Sequence, residues 1–72
     1  MTMHQTLHDL LIRRPFEPFE VRLSNGDAFP VRLPDFAILT KSRLIVVDPE
    51  TDKTSICALL HIADIRMLQP AA

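Results

Sequence analysis

From Phe19 to Leu33 apolar and polar residues alternate with a period of two, and the alternation breaks once, at Ser24-Asn25-Gly26, which holds the only glycine of the chain. Phe19, Val21 and Leu23 stand against Glu20 and Arg22 before the break; Phe29, Val31 and Leu33 stand against Pro30 and Arg32 after it. A period of two is the spacing of one strand face, so the segment reads as a hairpin with one buried side. The turn then fixes the register. A two-residue Asn25-Gly26 loop pairs Arg22 with Phe29 and puts charge and aromatic on one face, which the alternation forbids. A three-residue loop, with Gly26 in the left-handed conformation and a bulge, pairs Val21 with Phe29 and Phe19 with Val31. That register keeps Phe19, Val21, Phe29 and Val31 inside and turns Glu20, Arg22 and Arg32 outward.

Upstream the period is helical. Met3, Leu7, Leu10 and Leu11 fall on one stripe, Thr2 is placed to cap the first turn, and the pattern predicts a helix over residues 3–14. Arg13 and Arg14 in its last turn suit the helix dipole, and Pro15 stops it. Residues 15–18 read as a stiff extended connector. Phe16 and Phe19 tie helix to sheet, a simpler role for Pro15-Phe16-Glu17-Pro18-Phe19 than that of a ligand for a proline-recognising domain. Downstream, Pro34-Asp35-Phe36 interrupts the strand pattern, and Ala37-Ile38-Leu39-Thr40 fits either a turn of helix or a short strand. Leu44-Ile45-Val46-Val47 predicts a central strand apolar on both faces, and residues 54–59 predict its return after a Pro49 turn. A helical turn over residues 60–64 and a last strand at Ile65–Leu68 lead to an end at Pro70, Ala71 and Ala72. The whole, residues 1–72, is one domain with a β-barrel over residues 19–69.

One N-terminal helix followed by about five short antiparallel strands, with a helical turn before the last, resembles the small SH3-like or Sm-like barrel. In addition, Pro15-Phe16-Glu17-Pro18-Phe19, the Leu23-Ser24-Asn25-Gly26 turn and Pro34-Asp35-Phe36 resemble small bacterial proteins of unassigned function with a Pro-Phe-x-Pro-Phe opening. The first resemblance implies an architecture, and the second implies a shared fold from Leu10 onward. Sm-like proteins bind RNA with a glycine in the second strand and an asparagine after an acidic-aromatic stretch. Here Phe29-Pro30-Val31-Arg32-Leu33-Pro34 has no glycine and Asp35-Phe36 runs into Ala37-Ile38-Leu39, so the likeness extends to architecture and not to that RNA site.

Composition narrows the function classes. Eight Lys+Arg against nine Asp+Glu give a net charge of −1, which removes the general electrostatic attraction to nucleic acid or an anionic membrane. Arg22, Arg32, Lys41 and Arg43 form the one cationic set from which a nucleic-acid face could be built. Glu20 dilutes it, and base stacking needs exposed rings, whereas Phe16, Phe19, Phe29 and Phe36 all fall at inward or junction positions. The longest apolar runs are far short of the ~20 residues of a membrane-spanning helix. A single cysteine and an N-terminal stretch unlike a signal peptide indicate a cytoplasmic protein.

Candidate chemistry is sparse. His4 and His8, and Cys57 and His61, share a separation of four and are the conceivable zinc ligands, but lack the close pairing of a structural site, so no metal or cofactor is expected. Cys57 reads as a small core residue; a nucleophilic role needs His61 within reach and an oxyanion site. The acidic residues are scattered and no glycine-rich loop exists to hold phosphate, so no enzyme is indicated. A chain of 72 residues without a disulfide has a marginal core. The expected supplement is association, a homo-oligomer with a dimer favoured or a complex with a protein partner, through a seam of Val46, Ile62, Ile65 and Leu68.

Overall fold

The structure is a computed structural model that describes residues 2–68. One helix, α1 (Met3–Ile12), precedes six strands: β1 (Phe19–Leu23), β2 (Ala28–Val31), β3 (Ala37–Leu39), β4 (Arg43–Asp48), β5 (Lys53–Ala58) and β6 (Ile62–Met67). Turns of 3-10 helix at Pro34–Phe36 and Leu59–His61 lead into β3 and β6. The strands make two antiparallel three-stranded sheets, ordered β2-β1-β6 and β3-β4-β5. The chain is therefore mainly β with one N-terminal helix, and Ala37–Leu39, whose sequence suits helix or strand, supplies a sixth strand. The end at Pro70, Ala71 and Ala72, and residue 69 of the expected barrel, lie outside the described residues.

Helix α1 is capped by Thr2, whose hydroxyl accepts the Gln5 N–H at 3.1 Å. It ends two residues earlier than residue 14. Arg13 is already extended, at φ −61 and ψ 136, and Pro15 disfavours helical geometry at Arg14 after it. Arg14 nevertheless serves the helix terminus: its guanidinium donates to the Leu11 carbonyl at 3.2 Å. The Arg14–Pro15 peptide is cis.

The hairpin has the three-residue loop. Val21 lies opposite Phe29 and Phe19 opposite Val31. The Leu23 N–H donates to the Asp27 carbonyl at 2.8 Å, the Gly26 N–H to the Leu23 carbonyl at 3.0 Å, and Gly26 sits at φ +97. Antiparallel pairs alternate between hydrogen-bonded and non-bonded, so a bonded Leu23–Asp27 pair leaves Ala28 and Pro30 with their backbone groups facing away from β1. Pro30 thus costs the ladder nothing and blunts the free edge of β2. Leu33, beyond the last ladder pair, is exposed.

The inner faces of the two sheets share one core. Leu7 and Leu10 from α1, Phe19, Val21, Val31 and Ile62 from the first sheet, and Ala37, Leu44 and Val46 from the second are its buried members. The half-buried Phe16 ring stands 6.0 Å from that of Phe19 and extends this core toward the helix. Two residues of the expected association seam lie in the core. Val46 and Ile62 are only 4% and 7% exposed, inside the chain's own core. Ile65 and Leu68 are half-buried. The register decides this: β4 has two apolar faces, and pairing with Ala37 and Ser55 turns Val46 inward.

Candidate interaction surface

If Leu44 and Val46 point inward, Ile45 and Val47 point out. Ile45 lies directly opposite Ile38 on β3 and Ile56 on β5, so three isoleucines cross the middle of the outer face in one row. Among the described residues nothing covers them. Ile38 is 58% and Ile56 65% exposed, and Ile45, in the centre, is half-buried. The sequence marks only one of the three as outward: Ile56 alternates with Cys57, which reads as a core residue, whereas residues 44–47 are apolar on both faces.

The outer face of β2-β1-β6 is the opposite case. Glu20 lies across from Arg66, and Arg22 from Asp64, with the Arg22 Nε 3.9 Å from the Asp64 Oδ1. Two acids and two bases in alternation make a solvated face with little net charge. The two sheets therefore present unlike surfaces: one of compensated charge, one of exposed isoleucine.

The four cations singled out in sequence are distributed over both sheets. Arg22 belongs to the charged face, Arg32 follows β2 and is exposed, and Lys41 and Arg43 sit at the β3–β4 turn. No phenylalanine is exposed: Phe19 is buried and Phe16, Phe29 and Phe36 are half-buried. His4 and His8 are exposed on α1, His61 is exposed in its 3-10 turn, and Cys57 is sealed in at 1% exposure. Among the described residues no three His, Cys, Asp or Glu side chains gather as a metal-binding group. Burial pushes the Cys57 thiol above its usual range, and the negative charge of Asp27 pushes it further the same way. Both effects hold it as the neutral thiol, whereas nucleophilic attack needs the thiolate.

Between β2 and the β4–β5 hairpin runs a cleft of about 200 Å³, lined by Phe29, Pro30, Val46, Asp48, Lys53 and Ser55. Its volume is below the ~300 Å³ at which small-molecule sites begin. The core residue Val46 is among its lining, and its charged members, Asp48 and Lys53, are register partners on adjacent strands. Among the described residues no helix is long and apolar enough to cross a membrane.

Comparison with known proteins gives no match among family models, curated proteins or solved structures.

Proposed function

We propose that this protein is a non-enzymatic interaction module, a small cytoplasmic domain of the SH3-like or Sm-like barrel kind, whose working surface is the outer face of β3-β4-β5. One observation carries the reading: Ile38, Ile45 and Ile56 stand in register on a sheet face that none of the described residues covers. Scattered exposed apolar residues are ordinary, but a contiguous apolar row with a charged rim is the composition of a protein interface. The order of one helix, strands, 3-10 turn and last strand supports the barrel resemblance, with β6 returning to pair with β1. Helix α1 sends Leu7 and Leu10 into the core and not onto this outer face.

A photo-crosslinking side chain placed at Ile56, compared with one at Arg66 on the charged face, tests the reading in cells that make the protein. Discrete protein adducts from position 56 and none from position 66 are expected. Equal labelling from both positions, or none from position 56, would falsify it.

A further inference from the structure

The isoleucine row has a charge polarity at right angles to it. At one end of β4 the β3–β4 turn carries Lys41 and Arg43, both exposed. At the other end the β4–β5 turn carries the exposed acids Glu50 and Asp52, while Asp48 and Lys53 are register partners with the parity of inward Val46 and Ser55, and Arg32 lines one cleft with Asp48 and Glu50. None of these side chains is in an ion pair among the described residues. Six residues of β4 separate the two ends, roughly 17 Å at strand rise, about twice the screening length at physiological salt. Within one chain the ends therefore do not neutralise each other.

A surface with an apolar middle, a cationic end and an acidic end is complementary to itself. Two copies can be stacked row on row in two symmetric ways. With strands parallel across the interface, cationic end meets cationic end. With strands antiparallel, about a two-fold axis along the isoleucine row, each cationic end meets an acidic one, and Ile38, Ile45 and Ile56 lie over their own counterparts. Like charges across an interface are costly, so the charges select the second arrangement.

We infer that the partner of this face is a second copy of the chain, docked face to face with strands antiparallel, so that Lys41 and Arg43 of one protomer lie against Glu50 and Asp52 of the other. The inference rests on the reading of this face as the docking surface. Stacked sheets lie about 10 Å apart, a gap that lysine and arginine at a rim bridge while their stems cover the apolar row. Three strands give a patch of roughly 14 by 17 Å, which puts the interface at the small end of the range, under ~1,200 Å² in total, and makes the dimer a weak, concentration-dependent one.

Charge reversal tests both the partner and its orientation. One variant carries Lys41→Glu with Arg43→Glu; the other carries Glu50→Lys with Asp52→Asn, since position 52 has φ 57 and asparagine tolerates that conformation. Sedimentation equilibrium should show wild type dimerising at tens to hundreds of micromolar. Each variant alone should associate about tenfold more weakly or worse, and an equimolar mixture should recover wild-type association, because each reversed end then meets an opposite charge. Recovery on mixing also shows that both variants are folded. Variants that dimerise like wild type, or a mixture no tighter than its components, would overturn the inference while crosslinking at position 56 still upheld the docking face. A wild-type monomer at hundreds of micromolar would overturn it as well, and absence of adducts at position 56 would remove the underlying reading.

Discussion

Gly26 is needed for its backbone and not for space. It sits at φ +97, and a Cβ built there meets nothing within 4 Å. The cost of a side chain is therefore conformational alone, small for asparagine and larger for a β-branched residue. Gly26→Val should lower unfolding free energy by roughly 1–2 kcal/mol in a urea titration, and Gly26→Asn by less. Cys57 gives a pH signature of known sign. Its folded-state thiol titrates above the unfolded one, so the native state retains a proton that the unfolded state loses first. The stability it contributes is complete below the usual thiol value of 9.0 and is lost as pH rises from there through the raised native value. Melting temperature should fall across that alkaline window, and Cys57→Ala should flatten the fall. A slope that the substitution leaves unchanged would place the titrating group elsewhere.

At the scale of elements, α1 closes one end of the core. Leu7 is fully buried, and Leu7→Ala should cost about 2–5 kcal/mol by chemical denaturation. Thr2→Ala removes only the cap bond to Gln5 and should cost about 1 kcal/mol. A Leu7→Ala loss no larger than that of Thr2→Ala would mean that the helix is peripheral to stability. The elements also show what the sequence made legible. The hairpin register followed from the alternation and one glycine, because a slip of one residue reverses every side chain of a strand whose faces differ. Residues 44–47 carried no such information: Leu44, Ile45, Val46 and Val47 are apolar on both faces, so the pattern marked a central strand without saying which face was inside. The side was settled by pairing with Ala37–Leu39, a segment too short and ambiguous to assign alone. For that reason the expected seam of Val46, Ile62, Ile65 and Leu68 includes two residues that the fold buries, whereas Ile38 and Ile56 are exposed. Helix α1 ends two residues short of the expected residue 14: Arg13 and Arg14 suit a helix terminus as side chains, whereas Pro15 acts on the backbone.

For the whole molecule, adjacent strands carry opposite expectations for the same change. Val46→Glu places a carboxylate in the core at a position 4% exposed, a penalty of several kcal/mol, as large as the ~3–5 kcal/mol that a core of this size supplies. That variant should be unfolded. Ile56→Glu places the carboxylate on an outer face at a position 65% exposed, where the single chain loses little. It should melt cooperatively and, in dilute solution, close to wild type. The difference should grow with protein concentration. Association that involves only the folded chain stabilises it by mass action, on the order of 1 kcal/mol for each tenfold rise in concentration above the dissociation constant. For a domain of this length that corresponds to roughly 4–8 °C in melting temperature. Scanning calorimetry from micromolar to near-millimolar should therefore show a rising transition for wild type and a fixed one for Ile56→Glu. If both rise together, association does not run through the isoleucine face; if neither rises, the 72 residues complete their core alone and the exposed row faces water.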